Sequence, residues 1–111
     1  MIAATERGRI SITSDAVAQI VGYAAEQSYG VVALGGRDLR VRLQNWGRAR
    51  GIEAEIRADG LAVELRVVVE HGLRLAEVAE KVRERVAYEL ERMVGLPIVS
   101  LEVHIEGVRT R

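Results

Sequence analysis

At 111 residues, with 49% hydrophobic and 29% charged residues, the chain has the makeup of one ordinary globular domain. Its 16 basic and 16 acidic residues cancel, which argues against general nucleic-acid binding, where a basic excess is expected. Cysteine is absent, which excludes disulfides, thiolate nucleophiles and cysteine-based metal sites.

Residues 1–15 carry Glu6, Arg7, Arg9 and Asp15 and no long apolar run, so no signal peptide is expected. No stretch approaches the roughly 20 apolar residues of a membrane span. The expected location is cytoplasmic, with no direct membrane insertion. Residues 1–7 read as a flexible tail, 8–108 as a single domain and 109–111 as a second short tail.

Gly8 to Ile12 predicts a short edge strand with Ile10 and Ile12 on one side. Thr13 or Ser14 then caps a helix, with Asp15 in its favourable first turn. Val17, Ile20, Val21 and Ala24 fall on one apolar stripe, and Gly30 closes the helix as a left-handed cap. Val31–Leu34 and Leu39–Leu43 suggest a hairpin joined by Gly35-Gly36-Arg37-Asp38. Residues 44–51 are irregular.

Ile52–Ala58 and Leu61–Glu70 read as strands joined by Asp59-Gly60, a two-residue turn that wants positive φ at both positions. Alternation puts Leu61, Val63, Leu65, Val67 and Val69 on one face, and Ala62, Glu64, Arg66, Val68 and Glu70 on the other. A helix from about Arg74 to Met93 presents Leu75, Val78, Ala79, Val82, Val86, Leu90 and Met93 as its core stripe. Glu77–Lys81 and Arg85–Glu89 are i,i+4 pairs on its wet side. Its start lacks a good cap, while Gly95 and Pro97 mark its end. Ile98–Gly107 completes the pattern, with Val99, Leu101, Val103 and Ile105 facing in and Ser100, Glu102, His104 and Glu106 facing out.

Two helices and several half-polar strands predict an α+β two-layer sandwich, a mixed or antiparallel sheet with both helices on one face. The other face then gathers Glu53, Glu55, Glu64, Glu70, Glu102 and Glu106 against Arg57, Arg66 and His104. No constellation there calls for catalysis. Carboxylate pairs need a cleft that raises one pKa, and an open face among arginines offers none. Side chains at i and i+2 of a strand stand roughly 6.5–7 Å apart, so Glu102, His104 and Glu106 make a solvated strand face before they make a metal site. Gly35-Gly36-Arg37 lacks the helix and Lys-Ser/Thr of a phosphate loop. Gly47-Arg48-Ala49-Arg50-Gly51 has one residue too many for the Gly-x-x-Gly clamp of a KH module. No cofactor is expected.

The charge anomaly is Gly36–Gly51, which holds Arg37, Arg40, Arg42, Arg48 and Arg50 against Asp38 alone, together with Trp46. Arginine beside an aromatic suits a protein-docking surface and also base stacking on RNA. A solvated loop with Trp46 folded over the core is the bland alternative. With acidic residues sorted to the sheet face, the chain is expected to self-associate weakly, head to tail, through opposed charge.

Gly8-Arg9-Ile10-Ser11-Ile12, Gly30-Val31, Gly51-Ile52-Glu53-Ala54, Val67-Val68-Val69-Glu70-His71-Gly72, and Met93-Val94-Gly95-Leu96-Pro97 through Val103-His104-Ile105-Glu106-Gly107-Val108 occur in that order. In these pieces and their spacing the chain resembles the alkaline shock protein family of Gram-positive bacteria, also called the envelope stress response family. The family pattern often has a small polar residue at Leu73-Arg74 and an aromatic at His71, departures that touch only the helix start. The resemblance implies a cytoplasmic, non-enzymatic protein with no catalytic residues to carry over. Some members self-associate and are held at the membrane by a membrane-anchored partner. The reading that follows is an adaptor or scaffold in envelope homeostasis, acting through protein contacts; a small RNA-binding module using residues 37–50 is the alternative. The candidate surface is Arg37, Arg40, Arg42, Trp46, Arg48, Arg50, Glu64, Glu102, His104 and Glu106.

Overall fold

The structure, a computed structural model, describes residues 2–5, 7–35 and 51–110. Chain order is β1 (Ile2–Thr5), β2 (Gly8–Ser11), α1 (Ser14–Glu26), β3 (Val31–Leu34), β4 (Ile52–Arg57), β5 (Gly60–Glu70), α2 (Leu75–Met93) and β6 (Ile98–Arg109). The result is the expected two-layer α+β arrangement, with α1 and α2 packed on one face of a mixed sheet.

The sheet is built around β5. On one edge β5 pairs antiparallel with β4 through Gly60–Leu65 and then with β3 through Val67–Val69. On the other edge it pairs in parallel with β6 from Leu61 to Glu70. Where β4 gives way to β3, the backbone of Arg66 bridges both: its N–H donates to the Gly51 carbonyl and its carbonyl accepts from Gly35 N–H, each at 2.8 Å. The chain between Gly35 and Gly51 therefore departs from and returns to one point on the sheet. The two ends are so close that a Cβ on Gly51 would stand 2.9 Å from the Gly35 nitrogen. Of the hairpin expected over residues 31–43, Leu39–Leu43 lies outside the described residues, and β3 takes β5 as its partner.

Leu61, Val63, Leu65, Val67 and Val69 are all buried, as alternation requires. They meet Val17, Val21 and Ala24 of α1 and Val78, Val82, Val86 and Leu90 of α2 in one core. Burying each large aliphatic side chain stabilises the fold by roughly 1.5–3 kcal/mol. The ends of the predicted α2 stripe do not reach that core: Leu75 is 44% and Met93 54% exposed. The sheet beneath spans only the middle turns of the helix. Glu89, expected on the wet side, is buried instead, with its carboxylate held by Arg92 at 2.8 Å and Arg85 at 3.7 Å. Hydrogen bonding to Glu89 keeps the Arg92 guanidinium above its ordinary pKa, and Glu80 does the same for Arg83.

Several local expectations shift when tertiary contacts are included. Thr13 Oγ1 accepts from Ala16 N–H and caps α1. The helix ends at Glu26 rather than at a Gly30 cap, sealed by the Ser28 hydroxyl donating to the Ala24 carbonyl at 2.9 Å. Gly30 keeps its positive φ of 85° but serves the sheet, its carbonyl accepting from Glu70 N–H. The β4–β5 turn falls on Ala58-Asp59, one residue earlier than the Asp-Gly pair suggests, because Arg57 pairs with Gly60. No non-glycine residue among those described has positive φ. Gly60 (φ 142°) is required for a different reason: a Cβ there would collide with the Pro97 carbonyl, which Leu61 N–H holds at 2.7 Å. A register break between Leu61 and Ala62 turns Val99 outward, whereas Leu101, Val103 and Ile105 face the helices as expected. Val68, outward by alternation, is 1% exposed, so burial in β5 is not confined to its inward face. Residues 2–5, expected within a tail, form β1 and pair with β2 from Ile2↔Ser11 to Thr5↔Gly8, because the backbone ladder satisfies itself there.

Two stability measurements check this account. Val67→Ala should cost about 1–3 kcal/mol in urea unfolding, through lost burial and a residual cavity; a change under about 0.5 kcal/mol is the surface range and would invert the face assignment. Arg74, the N-cap of α2, makes no side-chain cap bond, and Glu77 stands three residues on. Arg74→Ser completes a capping box and should raise stability by about 0.5–1 kcal/mol.

Candidate interaction surface

The outer face of the sheet carries the described part of the candidate surface. β4 turns Glu53, Glu55 and Arg57 outward, β5 turns Glu64 and Arg66 outward, and β6 turns Glu102, His104 and Glu106 outward. Register aligns these side chains across strands. Glu53 pairs with Glu64 and Glu64 with Glu102, which sets three carboxylates in one row. At ordinary strand spacing the row is roughly 10 Å long. Arg66 pairs with His104 in the adjacent row.

Like charges directly opposite one another oppose sheet formation, and the neighbouring Arg66 guanidinium offsets this. Glu64 Oε1 accepts from Arg66 NH2 at 3.2 Å and lies 3.3 Å from His104 Nε2. His104 Nε2 also approaches Glu102 Oε2 at 3.6 Å. Along β4, Arg57 reaches back to Glu55 at 3.2 Å. A shallow depression of about 500 Å³ lies between β4 and β6, lined by Glu53, Glu55, Arg57, Ala62, Glu64, Ser100 and Glu102.

Glu64, Glu102 and His104 bring ligand-type atoms within 4.8 Å of one another. Their arrangement is that of an ion-pair network. Glu64 Oε1 is already shared by Arg66 and His104, so a cation entering there has to displace a guanidinium. Glu106 sits apart from this trio, near the buried Gly35, where a Cβ would run into its carboxylate. Reading β6 alone groups Glu102, His104 and Glu106. The structure groups Glu102 and His104 with Glu64 instead, through a parallel register that no single strand reveals. Arg37, Arg40, Arg42, Trp46, Arg48 and Arg50 lie outside the described residues.

In its layered fold the chain resembles the MamM CTD, with TM-score 0.54 at 17% identity over 89% of this chain and 100% of that one. A copper form of that domain gives TM-score 0.56 at 18% identity over 86% and 98%. At such identities the likeness speaks for the fold alone. The ASP23 family, the alkaline shock proteins, described by a cell envelope-related function, matches residues 3–110, and the chain belongs to it. Related sequences include YloU of Bacillus subtilis (strain 168), 26% identical over 95% of this chain and 92% of its own length. YqhY of the same organism is 26% identical over 95% and 80%. A stress response regulator gls24 homolog of Streptococcus pyogenes serotype M3 (strain MGAS315) is 25% identical over 95% of this chain, which spans 61% of that protein. Membership makes this a non-enzymatic protein of a family with a cell envelope-related function, in agreement with the family likeness in its sequence.

The carboxylate row yields a direct check. Glu53→Gln removes one end of the row and should raise stability by a few tenths of a kcal/mol at low salt, within the range of cross-strand pairs. The gain should fade near 1 M salt, where screening acts over about 3 Å. A loss of stability at low salt would mean that the row is not under charge repulsion.

Proposed function

We propose that this protein is an adaptor or scaffold in cell-envelope homeostasis, acting through protein–protein contacts on the cytoplasmic side and reaching the membrane through a membrane-anchored partner. The observation that carries the reading is the outer sheet face: open, shallow, acidic, and held in fixed register by the ladder beneath it. Such a face suits a basic protein surface, because opposed potentials steer encounter and fix register. Among the described residues no helix is long and apolar enough to cross a membrane, which fits recruitment by a partner. In sequence, the arginines and Trp46 of residues 37–50 add residue types favoured at protein-binding hot spots.

The carboxylate row repels phosphate, which disfavours RNA as the ligand of this face. Capture from a membrane fraction, with and without nuclease, separates the readings. A discrete protein should be retained by the wild type after nuclease treatment and lost from the Glu53→Lys/Glu55→Lys variant. Equal retention by the variant contradicts docking on this face. Retention abolished by nuclease favours the RNA module.

A further inference from the structure

We propose that Glu64, Glu102 and His104 form a binding site for one divalent metal ion of the zinc class on the outer face of the sheet. This goes beyond the docking role of that face and stands without it. Read along β6 alone, the residues argue against a metal, because positions i and i+2 of a strand stand roughly 6.5–7 Å apart. Two features of the structure change that. His104 and Glu102 lean toward one another until Nε2 and Oε2 are 3.6 Å apart. Parallel pairing sets Glu64 of β5 directly beside Glu102, and its Oε1 lies 3.3 Å from the same imidazole nitrogen. One ligand atom from each of the three residues falls within 4.8 Å of the other two.

These separations are those of a ligand set. Zinc takes histidine nitrogen and carboxylate oxygen at about 2.0–2.2 Å in a tetrahedral array, which places two ligand atoms about 3.3–3.6 Å apart. The two distances from Nε2 already match, and the gap between the two carboxylates closes by rotation of Glu102, whose side chain is 60% exposed. The backbone beneath is fixed. The trio lies in the unbroken part of the β5–β6 register, between the shifts at Leu61/Ala62 and Val67/Val68. Glu53, opposite Glu64 in the same row, adds negative charge beside the site.

Donor chemistry selects the ion. One imidazole with two carboxylates suits zinc and its first-row neighbours, whereas magnesium and calcium prefer oxygen ligands alone. Three protein ligands leave room for water, and Glu64 and Glu102 border the depression of about 500 Å³ that opens the site to solvent. The competitor is Arg66, whose NH2 holds Glu64 Oε1 at 3.2 Å. Its side chain is 41% exposed. An exposed pair of this kind is so weak that displacing it costs less than about tenfold in affinity. In exchange the ion gains two carboxylates and an imidazole.

Isothermal titration calorimetry of the whole chain with zinc chloride tests the proposal, with magnesium and calcium chloride as oxygen-preferring controls. The chain has no cysteine and one other histidine, His71, so few groups compete. One zinc ion should bind per chain, and magnesium and calcium should bind at least about tenfold more weakly. Glu64→Gln, Glu102→Gln and His104→Gln should each weaken zinc binding by about tenfold or more. Arg66→Gln should tighten it by about threefold, since it removes the competing contact and a nearby positive charge. His71→Gln and Glu106→Gln should leave it unchanged. Circular dichroism on each variant checks that the fold is kept. In imidazole nitrogen NMR spectra of the wild type, zinc should shift the Nε2 resonance of His104 and leave that of His71 in place. Absence of zinc binding, binding indifferent to the three ligand variants, loss of binding in His71→Gln, weaker binding by Arg66→Gln, or calcium bound as tightly as zinc would each overturn the proposal.

Discussion

The structure depends on β5 being satisfied on three sides at once. Its backbone is paired on one edge by β4 and then β3, and on the other by β6 along its length. Its inward side chains form the floor on which both helices pack. A buried backbone amide without a partner costs as much as a lost hydrogen bond, so a strand this deep needs both ladders complete. That demand explains why Arg66 takes Gly51 on its N–H and Gly35 on its carbonyl at the gap between β4 and β3. Gly35 and Gly51 are thereby held side by side against β5.

The same ladder that completes the core creates the charge pattern outside it. Once register aligns Glu53, Glu64 and Glu102, their repulsion is a consequence of pairing that the neighbouring residues must moderate. Arg66 does so by pairing with Glu64. Among the described residues the network closes on itself at the side of a shallow depression. The face therefore presents a fixed pattern of charge to solvent.

The features legible in the sequence were those set by local periodicity. The two-residue period of β5 identified Leu61, Val63, Leu65, Val67 and Val69 as buried, though Ala62 and Val68 on its other face are buried as well, and the 3.6-residue period of α2 identified Val78, Val82, Val86 and Leu90. Tertiary contact decided the rest. Leu75 and Met93 continue the helical stripe but overrun the sheet, so periodicity overstated their burial. Glu89 looked solvated until Arg85 and Arg92 were seen to close over it from both sides. Gly60 was recognised as special, yet its role is to admit the Pro97 carbonyl, sequence-distant and invisible to turn rules. At the candidate surface, Glu64, Glu102 and His104 were each singled out, but their convergence requires the parallel register of β5 and β6, which is set by the crossover through α2. The family likeness rested on short pieces in fixed order, which survive such tertiary details.

Native-state amide hydrogen exchange tests most directly the claim that β5 is the element on which the rest is assembled. Cooperative units of a fold open with free energies from near zero up to that of global unfolding. The amides of Leu61 to Val69 should exchange only through global unfolding, with a free energy equal to that from denaturant melting. The β1–β2 hairpin, whose Ile2 and Ile10 are exposed, should open far more readily. Exchange of β5 through a smaller opening, while α1 and α2 remain protected, would contradict the account.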